Sequence, residues 1–97
     1  MAVSSVEGRQ EEIRAIRDDA QARAVDAWHP PAELPVEPLG RIAFWLEHER
    51  LANAQIVAAI DAAREAGAKW WEIGAAMGRT SEAARAFYNY NRQRANG

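Results

Sequence analysis

Residues 63–88 read A-R-E-A-G-A-K-W-W-E-I-G-A-A-M-G-R-T-S-E-A-A-R-A-F-Y, and the fold turns on how this stretch is parsed. Two short helical patterns flank Gly78-Arg79-Thr80, one from about Lys69 to Met77, the other from an N-cap at Thr80 or Ser81 to about Gln93. Helices that cross steeply over a short turn need a small residue where they touch, which is the place of Gly74. The turn itself needs a backbone that tolerates positive φ, and Gly78 supplies it. Ile73 and Met77 then meet Ala84 and Phe87, spaced so that each pair lies on one helix face, and Trp70 closes the near end of this small core. With that face inside, Ser81, Glu82, Arg85, Ala86 and Asn89 point outward, with Thr80 near the helix start.

Upstream, Gly67 ends a preceding helix by permitting a left-handed cap. Ile42, Trp45, Leu46, Ile56, Val57, Ile60 and Ala63 follow helical spacing, and no proline or glycine falls between Arg41 and Ala66. One long helix fits, and so do two joined near His48 to Asn53. Residues 28–40, W-H-P-P-A-E-L-P-V-E-P-L-G, hold all the prolines and form a connector, so the first helix ends by His29. That helix carries a narrow stripe of Ile13, Ile16, Ala20, Ala24 and Ala27 or Trp28, and Ser4 with Glu7 forms a candidate capping box. No stretch alternates with the period of a strand. The expectation is an all-α chain of four or five helices, divided into an amphipathic helix (1–28), a Pro-rich connector (29–40) and a helical domain (41–97).

The 63–88 segment resembles the helix-turn-helix of small bacterial DNA-binding regulators, particularly actinobacterial and phage-type segments that read like G-x-S-W-x-E-I-G-x-x-L-G-x-S-x-x-A. The likeness covers about a third of the chain, and places the helix-turn-helix at about residues 63–93. Such families put an aliphatic residue directly after the turn glycine where this chain has Arg79, and G-R-T-x-x-A-x-R also occurs in Myb-like three-helix domains. The resemblance implies sequence-specific binding of double-stranded DNA, with the second helix in the major groove. Ser81, Glu82, Arg85 and Asn89 are then the base-reading residues, Arg85 forking onto guanine and Asn89 onto adenine. Lys69, Arg79, Thr80 and Arg92 hold phosphates. The use implied is transcriptional regulation or a phage- or plasmid-repressor role, and the alternative is a helix-turn-helix-like module that binds protein and no DNA.

Composition narrows the field further. The 97 residues suit one domain, and 48% hydrophobic with 27% charged side chains is ordinary for a folded chain. No apolar run reaches the length of about 18 residues that a membrane helix needs, and no signal-peptide layout opens the chain, so a cytoplasmic location is expected. The absence of cysteine excludes disulfides and thiolate metal sites. Glu47-His48-Glu49 lacks the second histidine of a zinc protease, since Ala52 stands there, and reads as a solvated helix face. No phosphate loop, nucleophile elbow or acid–base motif is present; neither catalysis nor a cofactor is expected. The net charge of −2 divides unevenly: residues 1–60 hold 6 basic and 10 acidic side chains, residues 61–97 hold 6 and 4. Positive charge therefore gathers at the C-terminal end. Phe44, Trp45 and Leu46 in a row cannot all face one core, so the N-terminal helices are expected to meet another chain, as a homodimer or with a protein partner; the alternative is that the first helix folds back over its own domain and leaves a monomer.

Overall fold

The computed structural model describes residues 5–96 and is all-helical over them: α1 (Ser5–Ala27), α2 (Pro38–Glu65), α3 (Trp70–Met77) and α4 (Ser81–Asn96). The candidate capping box at Ser4 lies outside the described residues. The long-helix alternative holds for α2, which runs through His48–Asn53 without interruption for 28 residues, roughly 42 Å at 1.5 Å per residue.

Each helix boundary has a local cause. α2 starts at Pro38, three residues before the expected Arg41, because a proline at the first helical position loses no needed donor and has its φ already set. The Leu39 amide donates to the Glu37 carboxylate at 2.9 Å, while the Arg41 guanidinium reaches back to the carbonyls of Pro35 and Val36 at 2.9 and 3.2 Å. These bonds fasten the connector to the helix it feeds. At the other end Gly67 takes φ +96°, and the Gly67 and Ala68 amides donate to the Arg64 and Ala63 carbonyls. α3 then starts with the Lys69 amide donating to the Glu72 carboxylate at 2.8 Å. Gly78 closes it at φ +70°, as a left-handed C-cap, and Thr80 caps α4 by accepting the Ala83 amide at 3.1 Å.

The packing is α3 on α4, α4 along α2, and α1 along α3. Ile60, Ile73 and Ala84 are the buried centre, surrounded by Ala63, Ala68, Trp70, Met77, Phe87 and Tyr88. Ala84 is 0% exposed because α4 comes so close to α3 that nothing larger fits. Val57 is buried on α2 and Ile13 on α1. Asn91 is buried as well and satisfies its amide by donating to the Phe87 carbonyl at 2.9 Å.

This core occupies one end of a molecule 62 Å long. Past Arg17 the α1 stripe stays in solvent, as does the N-terminal half of α2: Trp28 is 67% exposed and Leu46 59%, with Val25, Leu39, Ile42, Trp45 and Leu51 also exposed. Between α1, α2 and α3 lies a groove of about 360 Å³ whose lining includes Ile13, Ile16, Ile56, Ile60, Ile73 and Met77. Among the described residues no helix is long and apolar enough to cross a membrane.

Among the described glycines the tightest approach is at Gly74. A Cβ there would stand 2.7 Å from the Arg79 carbonyl oxygen and 3.0 Å from the Thr80 carbonyl, both backbone groups fixed by the turn. Gly74→Ala is therefore expected to destabilise the protein by about 1–3 kcal/mol in urea denaturation. Gly8→Ala, where the new Cβ meets nothing within 4 Å, is expected to stabilise it by about 0.5–1 kcal/mol.

Candidate nucleic-acid interface

α4 divides cleanly into two faces. Ala84 and Asn91 are buried, Phe87 and Tyr88 are half-buried, and Glu82, Arg85, Ala86 and Asn89 are exposed, with Ser81 intermediate. The sequence-predicted outer face is thus one continuous strip over about two turns of helix, bounded by the α3–α4 turn. Lys69, Arg79, Thr80 and Arg92 are all exposed too, the first three around the ends of α3 and the start of α4.

Several of these side chains have partners within the protein. The Ser81 hydroxyl donates to the Glu82 carboxylate at 3.0 Å, joining two candidate base-reading residues. The Thr80 hydroxyl accepts from the Ala83 amide, which leaves its own proton to donate elsewhere. The Arg85 guanidinium lies over the Trp70 ring, 5.6 Å from its centroid, with Arg64 at 5.3 Å over the same ring. Arg79 stands over Phe87, Arg92 over Tyr88 and Arg94 over Tyr90, all at 5.3–5.7 Å. A cation placed over a ring in this way is worth about 0.5–1 kcal/mol at exposed sites. The Tyr88–Arg92 and Tyr90–Arg94 pairs were readable as one-turn helical spacings. Arg64 and Arg85 on Trp70 were not, because they join α2, α3 and α4.

The remaining aromatic and amide residues separate by burial. Tyr88 packs edge-on against Trp70 at 5.5 Å between ring centroids and donates its hydroxyl proton to Asp61 on α2. Tyr90 is exposed, and Asn91 belongs to the core. Trp70 and Trp71 are both half-buried. Glu47 pairs with Arg50, and His48 lies against Phe44 and Trp45. Among the described residues no three His, Asp or Glu side chains come together as a metal site would require.

Acidic groups close to this surface are partly neutralised. Glu72 is joined to Arg9 on α1 at 2.6 Å. That bond, followed by the Lys69 amide, holds the Glu72 carboxyl below the ordinary glutamate range, and it raises Arg9 in turn. A bond farther along, from Arg17 to the Ala75 carbonyl at 3.3 Å, ties α1 to the later part of α3 and brings Arg17 beside Gly78 of the turn. Arg14 and Arg17 are thereby brought next to Arg79, a placement the sequence reading missed. Their spacing from Gln10, four and then three residues, put them on one face; what that face would lie against was not encoded locally.

No protein-family profile, curated protein or solved structure matches the chain. The functional reading accordingly rests on the residues themselves.

Because the folded-state value of Glu72 is lowered, its contribution to stability is present above the ordinary glutamate range and disappears as pH falls through the lower folded value. Glu72→Gln is expected to flatten the acid limb of thermal stability plotted against pH, with little change at neutral pH in the shape of the far-ultraviolet circular dichroism spectrum.

Proposed function

We propose that the chain binds double-stranded DNA through α3, the turn and α4 used as a helix-turn-helix, with α4 entering the major groove. The observation that carries the reading is the outer strip of α4, with Glu82, Arg85 and Asn89 exposed and Ser81 half-buried at its start, beside a turn whose close approach depends on Gly74 and Gly78. Arg85 and Asn89 have the side-chain types that discriminate guanine and adenine by paired hydrogen bonds. Lys69, Arg79, Thr80 and Arg92 flank the strip as phosphate contacts. A net charge of −2 is compatible with this role because the basic side chains are concentrated in residues 61–97, where Arg9 also neutralises Glu72.

The exposed apolar halves of α1 and α2 support a second element of the proposal, a homodimer. Ile42, Trp45 and Leu46 share one exposed face of α2, and Trp28 is exposed as well, more large apolar surface than scattered hydrophobics explain. A two-fold dimer would set two α4 helices about one DNA turn apart and read a palindrome, as a transcriptional regulator or repressor does. The same apolar surface favours the alternative, a module that docks another protein and leaves DNA alone.

Selection from a random duplex library tests the first element. An enriched motif, bound less tightly as salt rises, is expected, and Arg85→Ala should cost about 1–3 kcal/mol of affinity for it while relaxing one position of the motif. An Arg85→Ala variant with unaltered affinity and a lowered melting temperature would assign that side chain to Trp70 alone.

Sedimentation tests the second element. The wild type is expected to run at twice its 10.8 kDa mass, and Leu46→Glu at the single mass with its helix content retained. A wild type that stays monomeric at tens of micromolar, and enriches no duplex, would leave the protein-docking module as the better account.

A further inference from the structure

The groove between α1 and the α3–α4 turn, about 580 Å³ and open to solvent, is lined by Arg14, Arg17 and Arg79 together with Gln10, Ile13, Ala75, Gly78 and Thr80. Three arginines contribute to the lining of one concavity, and no carboxylate residue does. The small residues Ala75 and Gly78 leave its floor open, and a Cβ on Gly78 would already touch the Arg17 guanidinium at 3.5 Å. A groove whose charged lining is all of one sign has a positive potential that favours an anion.

The internal partners of these arginines do not fill the groove. Arg14 faces Glu11 at 3.8 Å across a pair that is about two-thirds exposed or more on both sides, an arrangement that contributes little. Arg17 gives a single N–H to the Ala75 carbonyl, which fixes its position and leaves the rest of its donors directed elsewhere. The Arg79 guanidinium carbon lies over the Phe87 ring, 5.3 Å from its centroid. The nearest acids on α1 beyond Arg17 are Asp18 and Asp19, both exposed, and Asp19 pairs with Arg23 at 2.8 Å.

We propose that this groove is a second phosphate-binding element, in which Arg14 and Arg17 of α1 act with Arg79 and the Thr80 hydroxyl on the phosphodiester backbone of the duplex whose bases α4 reads. The inference rests on the DNA-binding reading and deepens it: α1 becomes part of the DNA surface rather than only an oligomerisation helix. Arginine suits the task because its planar fork matches two phosphate oxygens at once. The groove's lining includes Arg79 and Thr80, the two residues that lead into α4 and its base-reading strip.

The test uses the full chain and a fluorescent random-sequence duplex of about 30 base pairs, with binding measured between about 50 and 200 mM salt. The double variant Arg14→Gln/Arg17→Gln is expected to bind more weakly at every salt concentration, and its plot of log affinity against log salt should be shallower by about one unit for each arginine that engages a phosphate. Arg17→Lys keeps the charge and should keep the slope. If Arg17→Lys instead behaves like the glutamine variant, or the double variant retains the wild-type slope and affinity, the groove proposal is overturned. Binding of a selected motif by that same double variant at wild-type affinity would leave the α4 reading intact. A wild type that binds no duplex at any salt concentration overturns both.

Discussion

Everything at the C-terminal end depends on how near α4 comes to α3, and that distance is set by the missing side chain of Gly74. The bare Cα lets the carbonyls of Arg79 and Thr80 lie where a methyl group would otherwise stand. With the turn drawn in, the Arg79 amide reaches the Gly74 carbonyl at 2.8 Å and the Thr80 carbonyl receives the Ala84 amide at 3.0 Å, so the end of one helix and the start of the next share a bonded frame. Ala84 then falls directly onto Ile73 and Ile60. The direction in which Arg85 and Asn89 leave the helix is a consequence of that frame.

Local chemistry and long-range packing differ in how far they can be read ahead. The two turn glycines, the proline-rich connector, the Gly67 cap and the Thr80 cap are each written in one or two residues with a known backbone demand, and each is in its expected place. The inner and outer faces of α4 follow from spacing alone. The start of α2 was shifted because Pro38 reads equally as the end of a connector and as the first residue of a helix. The docking of α1 was not legible: Ile13 announces a buried position but not its partner, and the Arg9–Glu72 and Arg17–Ala75 bonds span 63 and 58 residues of sequence. The arginine–aromatic contacts divide in the same manner, those within α4 being periodic and those between helices being invisible until the helices are assembled.

The two ends of the molecule are also unequal in how they are held. Around Ile60, Ile73 and Ala84 three helices enclose a small core, and the ion pair from Arg9 to Glu72 adds α1 to it. Beyond Arg17 on α1 and before Asn53 on α2, the helices continue with most of their apolar side chains exposed, Phe44 being half-buried against Trp45 and His48 of its own helix, and tertiary packing contributes little to their stability. Helix propensity, supplied by a sequence with 22 alanines, and contacts such as Arg41 with the connector and Glu47 with Arg50 are what remain to support them.

The continuity of α2 has a consequence for insertions and deletions. Its exposed half and the half that lies along α4 belong to one unbroken screw, so each residue added or lost between them turns one half by about 100° relative to the other and shifts it by 1.5 Å. Helix-compatible exchanges at the exposed Ala52 and Gln55 leave that phase as it is, whereas a single-residue change in length would swing the row containing Ile42, Trp45 and Leu46 onto another side of the molecule. In this chain the number of residues in that span is a structural parameter in its own right.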